Sequence, residues 1–219
     1  MREKIIEYEC EAITIIYDVL RCTHFEACVR GLPSVFSTRT RPWVTPRGAD
    51  PDEIAEVILR CPTGALHFRR HDGGAEEPVP DENCIEVRKD GPLFVSGDVE
   101  ILTHGRKVLL KDTRIALCRC GASQNKPLCD NTHLESDYEE EGRLPENCGQ
   151  PEPAEEPSQT LRVLLAPNGP LILRGPFELR GSDDAVAYFE DRVALCRCGA
   201  TGDPPFCDGS HKEVGFTTE

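Results

Sequence analysis

LCRCGASQNKPLCDNTH, residues 117–133, recurs as LCRCGATGDPPFCDGSH at residues 195–211, and this doublet organises the chain. Moving outward from it, Gly91-Pro92-Leu93 recurs as Gly169-Pro170-Leu171, a shift of 78 residues (169 − 91). The same shift carries Gly97 to Gly175 and Arg114 to Arg192, with no insertion. An internal duplication follows. In each copy a short alternating strand (IEVRKD or LRVLLAP) enters a GPL turn, and a second strand (LFVSG or LILRG) leaves it. An apolar strand (RIALC or RVALC) then delivers the first cysteine.

Within each copy the spacing is C-x-C-x8-C-x3-H: Cys118, Cys120, Cys129 and His133, then Cys196, Cys198, Cys207 and His211. Cys-x-Cys on an extended segment can place two thiolates on one metal. Cys-x3-His in a helical turn brings its donors to one face, where both can meet a second metal. Asp130 and Asp208 follow the third cysteine and suit a helix N-terminus. A Cys3His set also suits structural zinc, although C-x-C is unusual beside the wider spacings of zinc knuckles.

The chain of 219 residues carries 12 cysteines, more than packing needs, with 38% hydrophobic and 6% aromatic residues. Its N-terminus is charged and alternating rather than signal-like, and no apolar run is long enough for a bilayer. The expectation is a cytoplasmic protein with no membrane segment, whose thiols are reduced or metal-bound. A net charge of −14 argues against nucleic acid.

LCRCGATGDPPFCDGSH resembles the CDGSH iron–sulfur domain of the mitoNEET-like family. Thr201 and Pro205 stand at the family's internal positions, as do Ser123 and Pro127 in the first copy. Asn131 stands where the family has Gly, and Asn tolerates left-handed backbone better than most residues. The resemblance implies two [2Fe–2S] clusters, with Cys118 and Cys120 on one iron and Cys129 and His133 on the other. Cys196 and Cys198 would likewise stand opposite Cys207 and His211. It also implies a mostly-β unit with internal pseudo-two-fold symmetry, paired inside a monomer. One imidazole in place of a thiolate removes a negative charge, which should raise the cluster potential and link it to pH.

Residues 1–72 read as a different unit. AITIIYD alternates as a strand, DPDEIAEVILR has helical periodicity after an Asp-Pro start, and ALHF closes as a strand. Cys22, Cys28 and Cys61-Pro62 are spaced like ferredoxin ligands, with Phe25 where a middle cysteine would stand. Three cysteines suit a [3Fe–4S] cluster; His24 as fourth ligand would suit [4Fe–4S]. ITIIYDVLRCTHFEACVRGLPSVF, RPWV and EIAEVILRCPTGALHF resemble the divergent mono-cluster ferredoxin domain.

The expected fold class is therefore α+β: a ferredoxin-like domain over 1–72, CDGSH-type domains over 84–134 and 159–219, and a solvated acidic linker over 135–158 between them. Cys10, Cys84 and Cys148 belong to no motif and read as ordinary thiols, and His67, His71 and His104 as core or solvated histidines. Trp43 reads as packing. Arg119 and Arg197 could screen cluster charge or simply be solvated. No nucleophile–base constellation, phosphate loop or nucleotide fingerprint points to an enzyme. The expected role is electron transfer with a redox protein partner, or cluster storage and transfer to an apo-protein acceptor.

Overall fold

In the computed structural model, which describes residues 1–150, 160–190 and 192–218, the chain divides into two units. One is Arg2–Pro78 and the other runs from Val79 onward. In the first, β1 (Ile5–Glu9), β2 (Ile13–Asp18) and β3 (Leu66–Arg70) form an antiparallel sheet in that order. Two helices, α1 (Ala27–Gly31) and α2 (Pro51–Leu59), lie between β2 and β3 in the chain. The Asp50 carboxylate accepts from Asp52 N–H at 2.9 Å, and Glu53 accepts from Asp50 N–H at 3.2 Å, so α2 starts in a capping box with Pro51 in its first turn. Its apolar face buries Ile54, Val57 and Ile58 in one core with Ile13, Ile15, Phe36, Leu66 and Phe68.

The expected strand, helix and closing strand are all present. β1 and α1 are additions that carry little signal in the sequence. β1 is exposed along most of its length, so no buried face patterns it, and α1 is a single five-residue turn without a buried side chain.

The second unit is mostly β, and α+β describes the whole chain. Its strands are β4 (Cys84–Val87), β5 (Leu93–Leu102), β6 (Val108–Leu117), β7 (Leu161–Leu165), β8 (Leu171–Arg174), β9 (Phe177–Arg180), β10 (Val186–Phe189) and β11 (Val193–Leu195). The order is β10-β9-β4-β5-β7-β8-β11, with β6 also paired to β5. The two repeats do not stand side by side as separate bodies. β4 of the first pairs in parallel with β9 of the second, Cys84 opposite Glu178. β7 of the second pairs in parallel with the far half of β5 in the first, Arg162 opposite Glu100. Each of these pairs becomes the other under the repeat shift. A bulge after Ser96 and a break at Gly175 turn the chain at matching points. Ile85, Leu93, Val99, Ile115 and Leu117 share a single core with Leu161, Leu171, Phe177 and Leu195.

The stretch expected to be a solvated linker is packed over its described part. Asp90 N–H donates to Glu140 O at 2.8 Å, Ser182 N–H to Gly142 O at 2.8 Å, and Gln150 exchanges backbone bonds with Tyr188 at 2.8 and 2.9 Å. Leu144 lies against the core. The acidic composition concealed this because some of its carboxylates serve as partners inside the fold. Residues 151–158 of that stretch lie outside the described residues.

Candidate metal centres

β6 and β11 end on Leu117 and Leu195, and each hands its chain to the first cysteine. The eight-residue gap then closes on itself. Cys118 N–H donates to Pro127 O at 2.8 Å and Cys129 N–H to Ala116 O at 2.9 Å; Cys196 and Cys207 do the same with Pro205 and Ala194, at 2.8 and 2.9 Å. The third cysteine is thereby returned beside the first. Ser123 Oγ donates to Leu128 O at 2.6 Å and Thr201 Oγ1 to Phe206 O at 2.8 Å, bracing the same loop.

Between Cys129 and His133 the chain does not run as an α-helix. It passes through left-handed Asn131 (φ 72°) into a three-residue 3-10 turn, Thr132–Leu134, and the second copy repeats this through Gly209 (φ 99°). Asp130 accepts from Thr132 N–H at 3.1 Å and Gln124 N–H at 2.7 Å, and Asp208 from Ser210 N–H at 2.9 Å and Gly202 N–H at 2.8 Å. These carboxylates are staples between two loops rather than helix caps. Bonds from Ser210 and Gly202 hold Asp208 well below the usual carboxylate range.

The donor atoms fall in twos. Cys118 Sγ and Cys120 Sγ are 3.7 Å apart, Cys196 Sγ and Cys198 Sγ 3.6 Å. Cys129 Sγ lies 3.4 Å from His133 Nδ1, and Cys207 Sγ 3.5 Å from His211 Nδ1. Two thiolates about 2.3 Å from one tetrahedral metal sit about 3.8 Å apart, and a thiolate with an imidazole nitrogen about 3.6 Å. Each pair therefore fits one metal.

The Cys118–Cys120 hydrogen bond, with burial adding, drives the Cys118 thiol far up, while the same bond brings Cys120 down to about 6. Burial pushes Cys129 up to about 12 and Cys198 up to about 11. Thiolates at such positions need a counter-charge, which metal ions supply. Backbone N–H groups of Gly121, Ala122 and Ser123 point at the first pair of sulfurs, the arrangement that holds anionic sulfur.

In the first unit Cys22, Cys28 and Cys61 line one pocket with Tyr17, Phe25, Trp43 and Thr63. Burial, then the nearby Cys61 and Cys22, push Cys28 up to about 11. His24 lines the adjoining pocket with Cys22 and Cys28, and its Nδ1 is 4.0 Å from Cys22 Sγ. His24 and Glu26 both adopt positive φ, 52° and 66°, which bends the short loop between the two cysteines.

The comparisons with known proteins agree with this geometry. Residues 8–71 match the family described as a divergent 4Fe-4S mono-cluster, and residues 90–134 and 168–212 each match that described as an iron-binding zinc finger of CDGSH type. The chain belongs to the tandem CDGSH family, with a mono-cluster domain ahead of the pair. Its relatives include the protein named "Uncharacterized protein YjdI" in Escherichia coli strain K12 and in strain O157:H7. Each is 36% identical over 62 residues, 28% of this chain and 82% of the relative. No solved structure matches. This tandem CDGSH chain is an iron–sulfur protein.

Its two inter-cysteine arginines are not solvated. Arg119 and Arg197 are 1% and 3% exposed. Arg119 Nε donates to Gly91 O at 3.1 Å, Arg197 Nε to Gly169 O at 2.9 Å, and the latter's Nη2 to Ala166 O at 2.7 Å. Arg119 also bonds Arg88 O and pairs with Glu140. Tyr138 and Phe216 stack against the two guanidiniums at 5.5 and 5.6 Å. Sequence reasoning missed these partners, although each pair is separated by the repeat shift. It also missed Tyr17, whose hydroxyl burial and the nearby Cys22 push well above its ordinary range.

Cys10, Cys84 and Cys148 are free and half-buried, apart from every donor pair. Trp43 packs edge-on against Tyr17 at 4.9 Å, and His67 and His71 bond Glu77 at 3.0 Å and Thr14 at 2.8 Å.

Proposed function

We propose that this CDGSH protein is an electron carrier with three centres. Cys118 and Cys120 would hold one iron of a [2Fe–2S] cluster and Cys129 and His133 the other, with Cys196, Cys198, Cys207 and His211 repeating the arrangement. The observation that carries this is the donor pairing, thiolate–thiolate at 3.7 and 3.6 Å and thiolate–imidazole at 3.4 and 3.5 Å. Bound clusters would supply one-electron storage. The residues hold them, surround sulfur with N–H donors, and place one imidazole in each set, which lowers the site's negative charge.

Cys22, Cys28 and Cys61 would hold a third cluster in a ferredoxin-like domain, [3Fe–4S] with three ligands or [4Fe–4S] with His24 as the fourth. The reciprocal strand exchange supports a pseudo-two-fold pairing within a monomer. A redox protein with a basic face suits a chain of net charge −14. Reduced thiols suit the cytoplasm, and among the described residues no helix is long and apolar enough to cross a membrane. The role is carriage of electrons rather than catalysis.

Cluster storage or transfer is the second reading. It is favoured by the half-exposed His133 and His211, which stand beside buried Cys129 and half-buried Cys207 and which water can reach. Stopped-flow electron exchange with a reduced ferredoxin reductase, against cluster transfer to an apo-ferredoxin, separates the two. The carrier reading predicts exchange much faster than transfer; transfer without electron exchange would overturn it.

A further inference from the structure

Beside the three-cysteine site the first unit holds a cavity of about 330 Å³ that electron carriage does not use. Its lining includes Tyr17, Val29, Thr38, Arg41 and Trp43, and it reaches Cys22 and Cys28. Cys61 is not part of that lining. The pocket that all three cysteines share is the neighbouring one, lined also by Pro62 and Leu66. A cluster held by Cys22, Cys28 and Cys61 therefore sits in the neighbouring pocket, and the cavity is space beside it.

The aromatic part of the wall is fixed before any ligand arrives. Trp43 packs on Tyr17 at 4.9 Å, Phe36 at 5.9 Å and Tyr8 at 6.5 Å, and Tyr17 is 9% exposed. A flat apolar body can lie against such rings. Thr38 and Arg41 are exposed, so their part of the lining opens to water. Arg41 Nη1 donates to Thr40 O at 2.8 Å and Thr38 O at 3.3 Å, which fixes the guanidinium there. A guanidinium is a planar fork that matches a carboxylate. The cavity's own carboxylate, Glu26, is paired with Arg30 at 2.5 Å, which offsets its charge. A volume of about 330 Å³ lies at the small end of ligand cavities, which run from about 300 to 1,000 Å³.

We propose that this cavity binds a small aromatic carboxylate, its ring against Trp43 and Tyr17 and its carboxylate on Arg41. The ligand then touches Cys22 and Cys28 and lies against the third centre, a placement that rests on the three-cysteine cluster site proposed above. Its arrival excludes water beside the cysteine sulfurs, and solvent exposure is one of the factors that set a cluster's potential. The first unit thereby gains a ligand-responsive role in addition to electron carriage.

Trp43 is the single tryptophan of the chain, so its fluorescence reports on this cavity. The test titrates the full, cluster-loaded protein with benzoate, and in parallel with benzyl alcohol and with acetate. Benzoate should shift the Trp43 emission saturably. Benzyl alcohol, which lacks the charge, and acetate, which lacks the ring, should each bind at least about tenfold more weakly. Arg41→Gln should weaken benzoate by about the same factor, and Arg39→Gln, outside the lining, should leave it unchanged. Saturating benzoate should also alter the electron paramagnetic resonance signal of the third centre. No saturable shift with benzoate, equal binding of benzyl alcohol, Arg41→Gln binding as wild type, or an unaltered third-centre signal overturns the proposal. So does binding confined to cluster-free protein, which would make the cavity the cluster's own space. Benzoate binding without iron at Cys22, Cys28 and Cys61 would instead overturn the three-cysteine reading and leave the ligand site standing.

Discussion

Gly121 and Gly199 lie where the two metal centres meet, each against the backbone of a cysteine from the other repeat. Both hold positive φ, 80° and 78°, and a Cβ at either would come within 2.6 Å of a carbonyl oxygen. Backbone cannot yield as a side-chain tip can, so Gly121→Ala is expected to part the repeats beneath both sites. Iron analysis should show loss from both C-terminal centres, beyond the roughly 1–2 kcal/mol of left-handed backbone strain. Gly209 offers the contrast: φ is 99°, and a Cβ there would meet nothing within 4 Å, while Asn131 occupies the matching position at 72°. Gly209→Asn should keep its iron and shift the urea midpoint little; equal damage from the two substitutions would contradict the close-approach account.

At the scale of elements, the repeat made the ligand sets and most strands legible, because spacing survives duplication and alternation marks a half-buried strand. It did not reveal which strands pair. β4 bonds β9 of the other repeat, a choice made by core packing between residues far apart in the chain. The buried roles of Arg119 and Glu140 were hidden for the same reason, since an arginine between cysteines reads alike whether solvated or clamped. Because both repeats build one core, Leu173→Ala in β8, fully buried, should cost about 2–5 kcal/mol and release iron from both C-terminal sites together. Loss confined to the second site would show the repeats to be independent.

In the first unit Arg70 of β3 joins Asp52 of α2 at 2.6 Å and Asp72 at 2.7 Å. The Arg70 bond holds the Asp72 carboxyl well below its usual range. A depressed folded value means the contribution is present above the unfolded value, about 3.9, and is lost as pH falls below it. Urea melts should therefore separate Asp72→Asn from wild type at pH 6, with the difference shrinking steadily in acid.

For the whole molecule, the division at Pro78 and Val79 predicts that residues 79–219 alone fold and keep two clusters. That fragment should lose only the iron and sulfide of the third centre, as elemental analysis against the full chain would report. The central claim is the donor arithmetic: two paired Cys3His sites and one three-cysteine site in a single chain. Iron and acid-labile sulfide analysis combined with electron paramagnetic resonance tests it most directly. The account predicts two reduced [2Fe–2S] signals, plus either an oxidised [3Fe–4S] signal or a reduced [4Fe–4S] one; stoichiometric zinc with no sulfide and no signal would contradict it.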